Sequence, residues 1–213
     1  TDKMYLEKGD SALLTHSYRR TVKDELFGEG LGRTQLVQWL NGIDGVFSFI
    51  LIDYRKKVLI AARDGFGVRP LFVGSSDSDA SSASHDDVCF ASEPQAIVSA
   101  AHSARAVLPG TCHIVDLVSG QRMVHTFFHT VYSTIPTCYM IPRHMYELEA
   151  MKQQVRALLI EAVRKRVLMS DVDVGFMCDG GVGSSLMLCI AKRLFLTDAP
   201  TDVFTMCAKD SVN

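Results

Sequence analysis

The residues best suited to chemistry lie close together near the end of the chain. Asp179, Gly180 and Gly181 follow an apolar stretch and precede two serines, Ser184 and Ser185. Glycines between a strand and a helix leave backbone N–H groups unpaired at the helix start, where the helix dipole is positive. This order predicts an anion site, usually one for phosphate. An ordinary strand-to-helix turn in a parallel sheet is the alternative, and this stretch alone does not separate the two.

The sequence around these glycines predicts the elements that hold them in place. A long amphipathic helix is predicted over Glu147–Met169, followed at once by a short buried strand at Val172, Val174, Phe176 and Met177. A second helix is predicted over Ser184–Lys192 and a further strand over Val203–Met206. Strands that alternate with helices are typical of a parallel sheet, so this section is predicted to be α/β.

The first part of the chain predicts an α+β section, an antiparallel meander with helices on one side. Helices are predicted over Ser11–Phe27, over Thr34–Leu40 with Thr34 as the N-cap, and over Pro94–Ala101. The predicted strands, of which the first is expected to be buried on both faces, are Val46–Ile52, Lys57–Ala62, Leu71–Val73, Val88–Ala91, Thr111–Asp116 and Arg122–Phe127. An aperiodic stretch follows, so we expect domains at 1–130 and 147–213 with a linker at 131–146.

A turn-rich connection rich in charge lies between the second and third predicted strands. It runs from Arg63 to Pro70 and contains Asp64, Gly65 and Gly67. Its charged residues could form an active-site clamp. The favoured interpretation is structural: the Asp-Gly step and Gly67 make turns, and the arginines pair with nearby carboxylates.

Composition excludes several classes of function. The chain has 213 residues, 47% of them hydrophobic and 22% charged, with a formal net charge of -2, so no basic field for nucleic acid is present. No apolar run approaches the roughly 20 residues that cross a bilayer. The cysteines form no C-x-x-C pair and the histidines no metal-binding spacing, so no metal site is predicted. An intracellular, reducing compartment is expected, the cytoplasm or the mitochondrion.

Taken in order, segments along nearly the whole chain resemble glutamine-dependent asparagine synthetase. The segments that carry the resemblance are Leu40–Gly74, Phe90–Val98, Leu108–Asp116, Ser170–Gly181 and Val203–Ser211. The resemblance implies the C-terminal part of an N-terminal-nucleophile αββα sandwich, followed by the start of a Rossmann-like ATP pyrophosphatase domain. It also implies the family's activity, the ATP-dependent amidation of aspartate with ammonia from glutamine, with ATP and magnesium as cofactors.

The same resemblance assigns individual residues. Gly9-Asp10-Ser11 is similar to the site where an aspartate holds the amino group of glutamine, so Asp10 is the expected glutamine-binding residue. Two methionines, Met177 and Met206, fall on positions that flank the adenosine. The loop around the pyrophosphate is expected at Asp179, Gly180, Gly181, Gly183, Ser184 and Ser185. No catalytic residue is assigned, because the family's nucleophilic cysteine lies well before the first of the matching segments.

Three positions depart from the family pattern. The pyrophosphate loop usually reads S-G-G-x-D-S, whereas this chain has Asp179 in place of the first serine and Gly183 in place of the acidic residue. Cys207 stands where the family has a small glycine. A carboxylate at position 179 opposes phosphate by charge and can itself accept helix N–H groups, as an N-cap does. We therefore expect a strand–turn–helix shape that binds no nucleotide.

Two main hypotheses about function follow. The first is a catalytically silent pseudoenzyme that serves as a structural or interaction subunit and needs no cofactor. The alternative is the middle portion of a working asparagine synthetase, which a much longer parent reading frame would favour. A thiol enzyme using Cys178, at the bend before the glycines, is a weaker third hypothesis.

A protein partner is expected from the incomplete sandwich. The family's glutaminase packs two sheets face to face, and several of its strands precede the segments that match here. The strands between Val46 and Val73 are therefore expected to leave an unpaired edge and an uncovered apolar face. A partner chain or a larger assembly would cover both.

Overall fold

The computed structural model describes residues 9–27, 30–75, 88–98, 103–129, 145–170, 172–198 and 200–205, which fall into two compact units, residues 1–134 and 135–213. The elements of the first unit are α1 (Asp10–Thr21), α2 (Gly32–Asn41), β1 (Ser48–Asp53), β2 (Val58–Arg63), β3 (Phe72–Ser75), β4 (Val88–Ala91), α3 (Pro94–Val98), β5 (Ser103–Ala106), β6 (Thr111–Asp116) and β7 (Arg122–Thr126). Those of the second are α4 (Met145–Leu168), β8 (Phe176–Met177), α5 (Val182–Leu194) and β9 (Val203–Phe204). No helix in these ranges is long and apolar enough to span a bilayer.

The first unit is built on two antiparallel sheets. Strands β1, β2, β6 and β7 form one sheet in the order β1-β2-β6-β7, and β4, β3 and β5 form the other in the order β4-β3-β5. One face of the four-stranded sheet presents Ile60, Ile114 and their neighbours to the buried residues of α1 and α2. The second face presents Ala61, which packs with Leu71 and Val107 from the region of the three-stranded sheet. The ring of Phe90 on β4 also meets that of His113 on β6, with centroids 5.7 Å apart.

Both N-terminal helices differ from the predicted bounds. Helix α1 ends at Thr21 rather than Phe27, because the backbone of Val22 turns to an extended conformation. Val22 and Leu26 are nevertheless buried, so the apolar spacing marks buried positions although the backbone there is not helical. Helix α2 begins at Gly32, so Thr34 lies inside it and is not the N-cap. A Cβ on Gly32 would lie 2.2 Å from the carbonyl oxygen of residue 25, which explains a glycine at this close approach.

The expectation that the first strand is buried on both faces is wrong. On β1, Phe49 and Leu51 pack on the helix side, whereas Ile50 and Ile52 are 45% and 44% exposed. The reason is that the second sheet does not cover β1. Among the described residues, the apolar cluster between the two sheets contains residues of β2 but none of β1. Strand β1 also has a strand partner on one side only within the described sheet, so an exposed edge is confirmed.

Other strand predictions fared unevenly. β4 and β6 have the predicted bounds, and the remaining predicted strands of the first unit differ by at most two residues at either end. Strand β5 was not predicted, since its sequence Ser-Ala-Arg-Ala lacks apolar alternation and it forms by pairing with β3. Helix α3 is described to Val98, and the rest of its predicted span lies outside the described residues, as do residues 131–144 of the predicted linker. The last two residues of that linker, 145 and 146, belong to α4, so the predicted end of the linker is wrong.

The second unit packs its two helices around a small core. Val163 and Val167 of α4 and Ala191 of α5 are buried together. Strands β8 and β9 pair in parallel, as the alternation of helix and strand predicted. The buried strand predicted at residues 172–177 is wrong, because β8 covers two residues and the side chains of Val172 and Met177 are 77% and 75% exposed.

A buried carboxylate organises the connection between β2 and β3. Asp64 is 2% exposed, and its carboxylate accepts backbone N–H groups of Phe47, Phe66, Val68 and Arg69 at 3.0–3.3 Å. Burial by itself would raise the pKa of Asp64, but these four N–H groups favour the ionised form and the net effect is a lowered pKa. The turn is thus built around a negative charge.

The neighbouring arginine serves the same turn. The guanidinium of Arg63 donates to the carbonyl oxygens of Arg69, Val107 and Gly67 at 2.7–2.8 Å. The turns expected at Asp64-Gly65 and Gly67 are present, but the expected carboxylate partner for Arg63 is wrong. Asp64, the carboxylate next to it in the chain, is already occupied by backbone N–H groups, and Arg63 binds carbonyl groups instead.

We predict that Asp64→Ala lowers the free energy of unfolding of the first unit by about 3 kcal/mol, because it leaves four partly buried N–H groups without their acceptor. Since the folded pKa lies below the unfolded one, this stabilisation is present above the unfolded pKa and is lost as pH falls through the folded pKa. Urea unfolding followed by the fluorescence of Trp39, the one tryptophan of the chain, measures both effects.

Asp116→Ala is the matched control for this variant. Its carboxylate also accepts two backbone N–H groups, of Val118 and Ser119, but it lies at an exposed turn where water replaces them. The free energy of unfolding should therefore fall clearly less in Asp116→Ala than in Asp64→Ala. A difference between wild type and Asp64→Ala that stays the same from pH 7 to pH 3 would contradict the role given to the charge.

Candidate functional site

The predicted anion site lies where β8 leads into α5. Backbone pairing with the second strand fixes the end of β8, since Phe176 N–H donates to Asp202 O and Cys178 N–H to Phe204 O, both at 2.8 Å. The chain then bends at Gly180, whose φ of 83° lies in the left-handed region that favours glycine. Helix α5 starts at Val182 with Gly181 as its N-cap. The strand–turn–helix shape is therefore confirmed.

The carboxylate of Asp179 binds the donors of this bend. Its Oδ1 accepts the N–H of Gly181 at 2.9 Å and the hydroxyl of Ser184 at 2.5 Å. The Ser184 hydroxyl, and secondly the Gly181 N–H, lower the pKa of Asp179, so the group is ionised at neutral pH. The loop therefore carries a fixed negative charge at its centre.

The expected N-cap role of Asp179 is wrong in its detail. The N-cap residue is Gly181, and no side chain caps the helix by a hydrogen bond. The carboxylate accepts the N–H of the cap residue itself and a hydroxyl from the first turn, rather than the N–H groups of that turn. The spacing of two residues between Asp179 and Gly181 favours this local turn, since short acidic side chains bond their own backbone two residues on.

A pyrophosphate group at this loop would meet a negative charge and two donors that are already in use. The Gly181 N–H and the Ser184 hydroxyl are two of the donors that phosphate oxygens could take, and both already serve Asp179. The shape alone does not exclude a ligand, because a Cβ on Gly183 would meet no atom within 4 Å. Like charge and occupied donors, rather than lack of space, oppose phosphate here.

The structure brings together only part of the predicted nucleotide site. Asp179, Gly180, Gly181, Gly183, Ser184 and Ser185 share the bend and the first turn of α5. Met177 is next to them in the chain and is 75% exposed. Met206 and Cys207 lie outside the described residues.

Asp10, the predicted glutamine ligand, belongs to the first unit. It is the first residue of α1 and is exposed. Helix α1 does reach the four-stranded sheet, but through Tyr18, whose hydroxyl lies 3.3 Å from a carboxylate oxygen of Asp53. Tyr18 is eight residues from Asp10, about 12 Å along the helix axis. The assignment of Asp10 to glutamine and its expected place beside the sheet remain predictions.

Sequence reasoning missed the polar cluster at the other end of α1. Lys56 donates to the carbonyl oxygens of Val22 and Asp24, and burial lowers its pKa. Burial, and secondly the charge of Asp53, raises the pKa of Tyr18. A lysine in a turn after a strand gives no sequence signal for this contact, which joins residues 32 or more positions apart. The cluster ties α1 to the β1–β2 turn.

Neither metal chemistry nor thiol chemistry gains support. Within the described ranges, no group of three or more histidine, cysteine, aspartate or glutamate residues is placed to hold a metal ion. Cys178 is half-buried and pairs with β9 through its backbone. Burial raises the pKa of Cys112 to about 12, so that thiol is not a nucleophile at neutral pH.

Comparison with known families identifies the class of protein. A family described as "Glutamine amidotransferase domain" matches residues 29–154, more than half of the chain. A second family, described as "Asparagine synthase", matches residues 154–211. The two together define an amidotransferase segment followed by a synthetase segment. The chain belongs to the asparagine synthetase family.

Individual relatives carry the same name. The asparagine synthetase [glutamine-hydrolyzing] of Cricetulus griseus is 30% identical over 202 residues, which cover 87% of this chain and 34% of that protein. The probable asparagine synthetase of Acanthamoeba polyphaga mimivirus is 32% identical over 175 residues, covering 77% of this chain and 30% of that protein. The chain thus spans about a third of the length of the curated relatives it matches.

One solved structure aligns along the whole chain. It is described as the allosteric regulatory enzyme of purine biosynthesis, and it covers 100% of this chain and 44% of its own at 18% identity with a TM-score of 0.42. A similarity at this level supports no conclusion about the fold.

We predict that Ser184→Ala raises the pKa of Asp179 toward its ordinary value, because it removes the hydroxyl that contributes most to lowering that pKa. The pH titration of the Asp179 carboxyl carbon by NMR measures this shift. Ser185→Ala is the matched control, since Ser185 contacts the loop through its backbone N–H to Gly181 O. An unchanged pKa in Ser184→Ala would contradict the geometry described for this loop.

Proposed function

We propose that this chain is part of an asparagine synthetase-family protein whose synthetase loop has lost nucleotide binding. It would be catalytically silent as a synthetase and would act as a structural or interaction subunit. The observation that carries the proposal is the carboxylate of Asp179, which accepts the Gly181 N–H and the Ser184 hydroxyl at the centre of the loop.

The physical argument rests on competition for the same donors. A phosphate bound at a helix start is held by backbone N–H groups and nearby hydroxyls, with help from the helix dipole. In this loop an ionised side chain of the protein itself fills that role. A nucleotide would have to displace Asp179 from Ser184 and then remain beside the displaced negative charge.

A working asparagine synthetase is the second candidate. The relatives named above are called asparagine synthetases, and the loop keeps the family's bend at Gly180 with open space at Gly183. An exposed, ionised carboxylate is also the ligand type that magnesium prefers. If magnesium accompanied ATP, its charge would offset that of Asp179. On this candidate the parent protein would use ATP and magnesium to amidate aspartate with ammonia from glutamine.

Calorimetric titration with ATP, in the presence and absence of magnesium, separates the two candidates. We predict no measurable binding by the unaltered chain under either condition, because Asp179 occupies the phosphate donors. The double variant Asp179→Ser with Gly183→Asp restores the family pattern, and it should regain measurable binding. Asp173→Ser is the matched control, since Asp173 is an exposed aspartate of the same unit outside the loop.

Micromolar affinity of the unaltered chain for ATP with magnesium would overturn the proposal and favour the working enzyme. The same affinity without magnesium would also overturn it. It would show in addition that Asp179 releases the Gly181 N–H and the Ser184 hydroxyl without the help of magnesium. If the double variant and Asp173→Ser have the same affinity for ATP, Asp179 is not the cause of the lost nucleotide binding.

We also propose that Asp10 contacts the amino group of glutamine. Its exposed carboxylate at the start of α1 has the charge and access that an ammonium group requires. Unchanged glutamine affinity in Asp10→Asn would refute this role.

A further strand or partner chain is proposed to cover β1. The support is its edge position in the described sheet together with the exposed side chains of Val46, Ile50 and Ile52. Exposed edges of this kind accept an added strand. Fast hydrogen exchange of the outward β1 amides in the complete assembly would contradict it.

The compartment proposed is intracellular. Cys89, Cys112, Cys178 and Cys189, the cysteines within the described ranges, are free thiols, in agreement with a reducing environment.

A further inference from the structure

A histidine, His113, lies between the two sheets of the first unit. It belongs to β6 and pairs across the ladder with Ala61 of β2, which is fully buried in the apolar cluster between the sheets. Its chain neighbours Cys112 and Ile114 point to the opposite face, toward α1 and α2. The imidazole therefore faces the three-stranded sheet, where the ring of Phe90 meets it at an angle of 80° with centroids 5.7 Å apart.

A small cavity lies beside this imidazole. Its volume is about 70 Å³, and it is lined by β3, β4 and β5 on one side and by β6 and β7 on the other. Among the described residues that line it, the titratable or charged side chains are His113, Arg105 of β5 and Arg122 of β7. None of the described lining residues is acidic. The electrostatic surroundings of the imidazole are therefore cationic.

The two arginines keep their charge at every pH at which the protein is folded. Arg105 and Arg122 each have other contacts of their own, but a guanidinium group is not deprotonated in proteins. From β2, β3 and β4 the described residues nearest to the ring are uncharged, and they include Ala61, Val73 and Phe90. A proton on His113 would therefore add a third positive charge to this cavity.

The neutral imidazole suits this position, whereas the imidazolium does not. Burial lowers the pKa of His113 below its ordinary value, because it removes water from the charged form. The ring of Phe90 would attract a cation only weakly compared with the hydration that burial removes. Geometry and charge thus both favour an uncharged ring between the sheets.

We propose that His113 makes the packing of the two sheets sensitive to acid: its neutral ring holds the three-stranded sheet against the four-stranded one, and a proton on the ring loosens that contact. The three-stranded sheet is the part expected to loosen, because its buried contacts with the other sheet are the small cluster of Ala61, Leu71 and Val107. The four-stranded sheet is held in addition by the larger core on its helix side. This response is independent of the nucleotide loop, which belongs to the other unit.

The effect of pH has a defined direction and window. Because the pKa of His113 is lowered when the sheets are packed, its contribution to packing is fully present above the ordinary histidine pKa of about 6.5. It is lost as the pH falls below that value and through the pKa of the packed state. At pH 5 the carboxylate of Asp64 is still ionised, since its pKa is lowered as well. The response of His113 is therefore separate from the loss predicted for Asp64 at lower pH.

Two NMR measurements on the unaltered full chain test the proposal. The ring protons of His113 should titrate with a midpoint below about 6.5. Amide hydrogen exchange at pH 7.5 and pH 5.0 is expressed as protection factors, which remove the pH dependence of the intrinsic exchange rate. Protection of β3 and β5 should fall about fivefold or more at pH 5.0, whereas that of β1 and β2 should change by less than about twofold.

Variants without a titratable group at position 113 then assign the effect. Both His113→Gln and His113→Leu should abolish the loss of protection at pH 5.0, and the use of two variants covers the failure of either one to fold. His125→Gln is the matched control. His125 lies in the same sheet and burial also lowers its pKa, but its ring contacts the sulfur of Met123, which packs on the helix side. The loss of protection should persist in this variant.

Four results would overturn the proposal. A midpoint for His113 at or above about 6.5 would show that the cavity accepts the imidazolium. Equal protection of β3 and β5 at the two pH values would show that the packing does not respond to acid. A loss that persists in both variants of His113, or one that disappears in His125→Gln, would assign the response to another group.

Discussion

The first unit depends on one buried negative charge. Asp64 is almost fully enclosed, and its carboxylate holds four backbone N–H groups from Phe47 to Arg69. The backbone of Asp64 contributes two further hydrogen bonds, since its N–H donates to Phe47 O and its carbonyl oxygen accepts the N–H of Gly110. The entrance to β1, the exit of β2 and the entrance to β6 therefore meet at a single residue. This junction joins the ends of three strands of the four-stranded sheet.

A second aspartate, Asp179, also accepts local hydrogen-bond donors, but it does so at an exposed bend. Asp179 also accepts local donors and also has a lowered pKa, but it is exposed and stands at a bend that resembles a phosphate loop. At Asp64 the charge organises a turn through four backbone N–H groups. At Asp179 it occupies the Gly181 N–H and the Ser184 hydroxyl, two donors at the start of a helix. Family membership is shown by the comparisons, and the proposed silence rests on this one side chain.

The sequence predicted what local pattern controls and missed what distant contacts control. Strands β4 and β6 were predicted with their bounds because alternation and flanking turns define them locally. The end of α1 was missed because Val22 and Leu26 keep helical spacing while the backbone is extended. The outward face of β1 could not be predicted, since its exposure depends on how far the second sheet reaches. Likewise, Asp179 was expected to accept N–H groups of the helix as an N-cap does, but it accepts the Gly181 N–H and the Ser184 hydroxyl, because the bend at Gly180 brings these two donors to it.

The most direct test of the central claim follows the loop amides themselves. Two-dimensional ¹H–¹⁵N NMR of the wild-type chain resolves the N–H groups of Gly181 and Ser184, and inorganic pyrophosphate with magnesium can be added without any need for an adenine pocket. If Asp179 fills the anion position, these resonances stay in place over the titration. Saturable shifts of Gly181 and Ser184 would show that the loop still accepts phosphate, and would contradict the account.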